Sequence, residues 1–192
     1  SMKDMLRKKV APLLVALAAV AALLFGSAMA ADAGIPPPNP IASDKAAKAC
    51  LKYSSLRNKV VCIARSQIGV RERGTTKRKA DNCQKYFRDF GSDLNCDDDD
   101  EGQWCTAFAS WVWMKARVPN PPVTFRVREF AAALTKVKRP KPGDVAVIPN
   151  HHTEIVVQVD GDYVHTVSGN VGDSVVTGVH RLGARKYYRM GS

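Results

Sequence analysis

Gln103-Trp104-Cys105-Thr106-Ala107-Phe108-Ala109-Ser110-Trp111-Val112-Trp113 is the stretch on which this chain turns. From Cys105 onward, Ala107, Phe108, Trp111, Val112 and Met114 recur at helical spacing, which predicts a buried helix with a thiol in its first turn. A helix start gathers unpaired amides and the positive end of the helix dipole, and both favour the thiolate, the nucleophilic form of cysteine. Cys105 is therefore a candidate nucleophile, provided a histidine from elsewhere in the chain reaches it.

Upstream of this helix lies Asp97-Asp98-Asp99-Asp100-Glu101. Alternate carboxylates in a loop are the raw material of a weak calcium site, but the glycine-turned spacing of a dedicated calcium loop is missing, so a solvated acidic segment is expected and no metal is assigned. Farther upstream, Ser55 is expected to cap a helix with Val60, Val61, Ala64 and Ile68 on its apolar face, ending at Gly69. A second short helix carries Cys83, Tyr86, Phe87 and Phe90 on one face. Downstream, Pro119-Asn120-Pro121-Pro122 ends the Cys105 helix, and Thr124 is expected to cap a fourth helix bearing Val127, Phe130, Ala131 and Leu134.

Beyond Pro140 the periodicity becomes strand-like. Val145 to Ile148, Glu154 to Val159, Tyr163 to Val167, Val175 to Val179 and Lys186 to Arg189 are short β-branched or aromatic runs, and Asp160-Gly161 is a hairpin signal. Helices first and strands afterwards imply an α+β domain, with the N-terminal helices packed on one side of a C-terminal antiparallel sheet.

With 192 residues and 45% hydrophobic content the chain can fill one core, with extensions. Its 29 Lys+Arg against 18 Asp+Glu give a net charge of +11, which calls for an anionic partner such as a cell-wall polymer, a lipid surface or nucleic acid. At the N-terminus Arg7-Lys8-Lys9 precede an apolar run from Val10 to Phe25 and the small residues Gly26-Ser27-Ala28-Met29-Ala30. This is the layout of a secretory signal over residues 1–30, cleaved after Ala30 or Ala33, or of a retained membrane anchor. Residues 31–48, with Ile35-Pro36-Pro37-Pro38-Asn39-Pro40, read as a proline-rich tether, and residues 49–192 as one catalytic domain, expected to be a monomer. The location is then secreted or extracytoplasmic. Nucleic acid is set aside, since no binding motif accompanies the basic residues and export argues against it.

Five cysteines, an odd number, leave one thiol over in an exported protein. If that one is Cys105, then Cys50, Cys62, Cys83 and Cys96 form two bridges; the sequential pairing Cys50–Cys62 and Cys83–Cys96 closes the shortest loops of three connectivities. No Cys/His spacing fits zinc and no glycine-rich loop follows a strand to hold phosphate.

A thiol nucleophile needs a base, and the chain has four histidines, His151, His152, His165 and His180. His151-His152 sit where a loop enters the strand Glu154 to Val159, and the next strand ends in Ser168-Gly169-Asn170, which brings an amide to the same rim. His165 and His180 lie within strand runs and read as structural.

These pieces carry a resemblance. Gln103-Trp104-Cys105-Thr106-Ala107-Phe108, then Lys141-Pro142-Gly143-Asp144-Val145-Ala146-Val147, then His152-Thr153-Glu154-Ile155-Val156-Val157, then Ser168-Gly169-Asn170 resemble, in order, the motifs of the CHAP family of cysteine, histidine-dependent amidohydrolases/peptidases. Ile63 to Glu72 is similar to the helix and loop that open such domains. The resemblance covers about residues 58 to 189 and implies a papain-like, NlpC-like α+β fold and hydrolysis of amide bonds in bacterial peptidoglycan, by a protein of bacterial or phage origin. It implies Cys105 as nucleophile, His152 as base, with His151 its rival, and Asn170 as the orienting residue. Gln103 and Trp104 beside the nucleophile are expected to border the substrate groove. Three positions depart from the family pattern. Thr153-Glu154 follow the histidine where Val-Gly or Val-Ala is usual, so Glu154 is expected to orient the ring or narrow the substrate channel. Ser168 stands where many members carry an acid. The rival class is a non-catalytic exported module that uses the same fold to bind the wall.

Overall fold

The computed structural model describes residues 44–71, 85–88 and 104–191. Their elements, in order, are α1 (Asp44–Ala49), a single 3-10 turn (Cys50–Lys52), α2 (Leu56–Ser66), α3 (Lys85–Arg88), α4 (Trp104–Ala116), α5 (Val127–Ala132), and six strands: β1 (Lys136–Val137), β2 (Val145–Ile148), β3 (His152–Asp160), β4 (Tyr163–Ser168), β5 (Val176–Arg181) and β6 (Lys186–Tyr188).

Helix α4 is apolar on every side, and such a helix must be surrounded. It is: Trp104, Phe108, Trp111, Val112 and Trp113 are all fully buried. Tyr86 of α3 covers one flank, stacked on Trp104 with centroids 5.6 Å apart and edge-on to Phe108 and Trp111 at 5.2 and 5.1 Å. Phe130 of α5 lies 5.3 Å from Trp113. Val60, Val61 and Ala64 of α2 join the same core.

The sheet runs β1-β6-β2-β3-β4-β5, and every pairing is antiparallel. Strand alternation sends Val145, Val147, Ile155, Val157 and Val167 into the helical core, while Ala146, Val156, Val164 and Tyr187 form a second, smaller cluster on the opposite face. That second face is concave. His180 of edge strand β5 stacks on Tyr187 of β6 at 6.1 Å although β2, β3 and β4 lie between them in the sheet, so the sheet curls around its smaller cluster. A register shift between Val156 and Gln158 on β3 supplies part of the bend. The α+β, papain-like architecture expected from the sequence is the one observed.

Local signals are honoured with small displacements. Ser55 caps α2, its hydroxyl accepting from Asn58 N at 3.5 Å. Thr124 is not the cap of α5; Arg126 holds that position, and the Thr124 hydroxyl instead accepts from Arg126 N at 3.1 Å and donates to Glu129 Oε2 at 2.7 Å. Helix α1 reaches back into the stretch assigned to the tether, because Ala47 is buried against the core and anchors Asp44–Ala49 as a helix. Strand β1 is an addition, held by Lys136 and Val137 pairing with Tyr188 and Tyr187. Cys50 and Cys62 are bridged, as the sequential pairing requires. Cys83, Cys96, the N-terminal signal or anchor and the proline-rich run lie outside the described residues. Among those described, no helix is long and apolar enough to cross a membrane.

Candidate active site

Cys105 is the second residue of α4, and α4 packs against β3, the strand that His152 opens. Two threonines join them: Thr106 Oγ1 and Thr153 Oγ1 are 3.0 Å apart, both buried. Each follows directly on a candidate catalytic residue. The hydroxyl clasp therefore fixes the start of α4 against the start of β3, one residue beyond the cysteine on one side and one beyond the histidine on the other.

The Cys105 side chain is buried and unbridged. Burial pushes the thiol above its ordinary range, against the backbone of Thr153 and the hydroxyl and backbone of Thr106, which favour the thiolate. This corrects the expectation that the helix start leaves the sulfur ionised: the helix-end and hydrogen-bond effects are present, but desolvation outweighs them. His151 is exposed in the β2–β3 turn, whereas His152 is half-buried on β3. Burial, then the neighbouring His151 and Arg185, lower His152 to about 4, so both members of the pair are neutral at pH 7. Its buried Nε2 has no hydrogen-bond partner.

Asn170 follows β4 with φ 61°, a left-handed conformation that asparagine tolerates better than most residues, so the residue type has a backbone reason whatever else it does. Gly169 before it has a packing reason. A Cβ there would run into the Trp104 ring, 2.6 Å from Cε3, and come within 2.9 Å of Phe108 Cβ. Trp104 is accordingly core: fully buried, wedged between Tyr86 and Gly169, it props the first turn of α4 and does not border a groove, contrary to the sequence expectation. Gly169→Ala is expected to cost about 1–3 kcal/mol of stability by overpacking and to blue- or red-shift the tryptophan emission as Trp104 is displaced, measurable by denaturant titration and fluorescence.

Glu154 lies on the same face of β3 as His152, buried on the concave side of the sheet, where its Oε1 is 3.6 Å from Arg185 Nε and its Oε2 is 3.5 Å from His180 Nδ1. Burial raises its carboxyl pKa, with Arg185 pulling the other way. Sequence reasoning missed Arg185 and took His180 as merely structural; their meeting with Glu154 depends on the curl of the sheet, which has no local signature. A cavity of about 210 Å³ opens beside the β2–β3 turn, lined among others by Val127, Arg128, Val147, Asn150 and Lys186. Gln103 and the acidic run Asp97 to Glu101 lie outside the described residues, and among the described ones no group of three His, Cys, Asp or Glu side chains could hold a metal ion.

A thiol at the head of the central helix, braced against a histidine-bearing strand of a curled antiparallel sheet, is the layout of a papain-like cysteine hydrolase. The CHAP domain model matches residues 97–170, which span the Cys105 helix, the His152 strand and Asn170; over that stretch the chain is similar to a CHAP domain, a family of amidases and peptidases acting on peptidoglycan. No curated protein and no solved structure matches the chain.

Proposed function

We propose that this protein is an exported cysteine hydrolase that cuts amide bonds of bacterial peptidoglycan, as an N-acetylmuramoyl-L-alanine amidase or a peptide-crosslink endopeptidase. The observation that carries this is the Thr106–Thr153 clasp, which sets the start of α4, with the candidate nucleophile, against the start of β3, with the candidate base on the neighbouring residue of the strand. At rest thiol and imidazole are both neutral, so His152 acts as general base. It takes the proton as Cys105 Sγ bonds to the scissile carbonyl carbon, and the first turn of α4, the positive end of the helix, faces the oxyanion that forms. The imidazolium then protonates the departing amine as the C–N bond breaks. Water, deprotonated by His152, hydrolyses the thioester to a carboxylate and restores the thiol.

Asn170 takes the orienting role. Asn170 lies two residues beyond the end of β4, the strand paired with β3, which His152 opens, and this neighbourhood of strand ends supports the role. Export is supported by the Cys50–Cys62 bridge, since such bridges persist in oxidising compartments, and a surplus of cations suits an anionic wall.

One observation favours the rival, non-catalytic wall-binding module: the Cys105 side chain has no exposed surface. Mass spectrometry of defined muropeptides after incubation with the protein separates the two. New amine and carboxylate ends at one bond type are expected, and they also name the bond; intact muropeptides at every pH tried, with the wall still bound, make the protein a binding module.

A further inference from the structure

Every buried side-chain nitrogen or oxygen without a hydrogen-bond partner among the described residues belongs to one set: His152 Nε2, Glu154 Oε2, Thr166 Oγ1, His180 Nε2 and Arg185 Nε. Native interiors keep few such atoms, and each needs a reason. Here they belong to neighbours, and Thr166 and Arg185 both approach Glu154 closely enough to favour its ionised form without completing a well-formed hydrogen bond to Oε2. His152 and Glu154 share a face of β3; Thr166 is on β4, where its Oγ1 occupies the space that a Cβ on Gly178 of β5 would enter; His180 is on β5; and Arg185 reaches in from the β5–β6 connection. The set contains acceptors and donors in complementary kinds. Glu154 Oε2 can only accept when ionised, while His152 Nε2 carries a proton in the imidazolium.

We propose that Glu154 is a positioning residue, the carboxylate that orients the His152 ring and stabilises its charged form, held in place by His180 and Arg185 inside the curled sheet. It rests on the cysteine-hydrolase reading for its role in turnover, but not for the charge coupling itself. In that cycle His152 must become an imidazolium within a site that disfavours charge. The groups bearing on it are His151 on its own turn and Arg185 from the β5–β6 connection; Glu154 of β3, on the same face, and His180 of β5 beside it complete the set, in which Glu154 is the carboxylate. Successive same-side residues of a strand stand about 7 Å apart, within reach of a glutamate side chain or of one bridging water. Arg185 opposes protonation of His152, and Glu154, 3.6 Å from that guanidinium, offsets it. His180, its ring stacked on Tyr187, closes the other side of the carboxylate.

The test is a histidine NMR titration of the substrate-free protein, with the His152 signal among the four histidines assigned through His152→Gln. At a separation of this order, removing one charge moves the His152 midpoint by about one pH unit. Arg185→Met is expected to raise it, into a range where the protein is easily studied, and Glu154→Gln to lower it. A midpoint unmoved in Glu154→Gln overturns the proposal, whatever Arg185→Met does. Should Glu154→Gln not fold, Glu154→Asp, which draws the carboxylate back, decides in its place, a lowered midpoint supporting and no change refuting. In hydrolysis assays the acid limb of Glu154→Gln is expected to shift in step with the midpoint and the maximal rate to fall at least about tenfold. A lower rate on an unshifted limb marks Glu154 as mere packing and refutes the positioning role. Failure of the hydrolase reading looks different: no hydrolysis by the unaltered protein at any pH, with the titration shifts intact.

Discussion

Cys105→Ala is expected to abolish wall hydrolysis, a loss of at least on the order of 10³-fold, while leaving the protein folded. The two effects separate because they rest on different atoms. Activity needs the sulfur itself; stability loses only one small buried group from a core filled by Trp104, Phe108, Trp111 and Trp113 around it, on the order of 1 kcal/mol. The pH dependence of the unaltered enzyme follows from the resting charges. His152 accepts a proton only when neutral, and its lowering to about 4 puts the acid limb of kcat/KM near that value, well below an ordinary histidine. With the thiol raised, loss of its proton falls on the alkaline side, leaving a broad plateau across neutral pH. Iodoacetamide reports the same pair without substrate. Alkylation of Cys105 is expected to be slow at pH 6 and to climb toward the raised thiol pKa; fast alkylation already at pH 5 would mean a preformed thiolate–imidazolium pair and would sink the general-base scheme. Retained hydrolysis in Cys105→Ala would remove Cys105 from the mechanism altogether.

Why some of this was legible in the sequence and some not is a matter of range. The α2 cap at Ser55, the apolar α4 and the Asp160-Gly161 hairpin are written in neighbours a few residues apart, and they appear where the periodicities put them. Strand β1 is two residues long and exists because β6, almost fifty residues later, offers Tyr188 and Tyr187 as partners; no local pattern announces it. The same holds at the site. A cysteine before a helical apolar run is a local signal and marks Cys105, whereas its ionisation is decided by how deeply the sheet buries it, and burial reversed the expected sign. Trp104 sits beside the nucleophile in sequence but points at Gly169, 65 residues away, which turned an expected groove residue into a core one. Glu154 was noticed because it departs from the family pattern; its partners His180 and Arg185 were invisible until the sheet curled.

Asp144→Ala is expected to be the most destabilising single change in the described structure, costing about 3–5 kcal/mol and lowering the urea midpoint accordingly. Asp144 is fully buried, and its carboxylate gathers four partners from three parts of the chain: Arg57 Nη1 of α2 at 2.9 Å, Lys141 N at 2.9 Å, Met190 N at 3.1 Å and Arg189 Nε at 3.8 Å. Truncation strands the buried Met190 amide and the Lys141 amide, each worth about 1–3 kcal/mol, and frees two guanidiniums; these last are roughly 30% exposed, so water recovers part of their loss. Arg57→Met is accordingly expected to cost less, about 1–2 kcal/mol, since it leaves the Asp144 carboxylate its two amides. The three tryptophans of the chain all lie in α4, so one fluorescence signal reads the core in every variant. The consequence for function runs through the backbone. Gly143 N donates to Val156 O and Val156 N to Asp144 O, both at 2.8 Å, which starts the β2–β3 ladder that carries His152. Under conditions where Asp144→Ala remains folded, hydrolysis should therefore fall further than the population of folded protein, because the strand bearing the base has lost its anchor. Equal losses in the two measurements, or a stability within about 1 kcal/mol of the unaltered protein, would show that the Lys141-Pro142-Gly143-Asp144 turn is not what holds the site together.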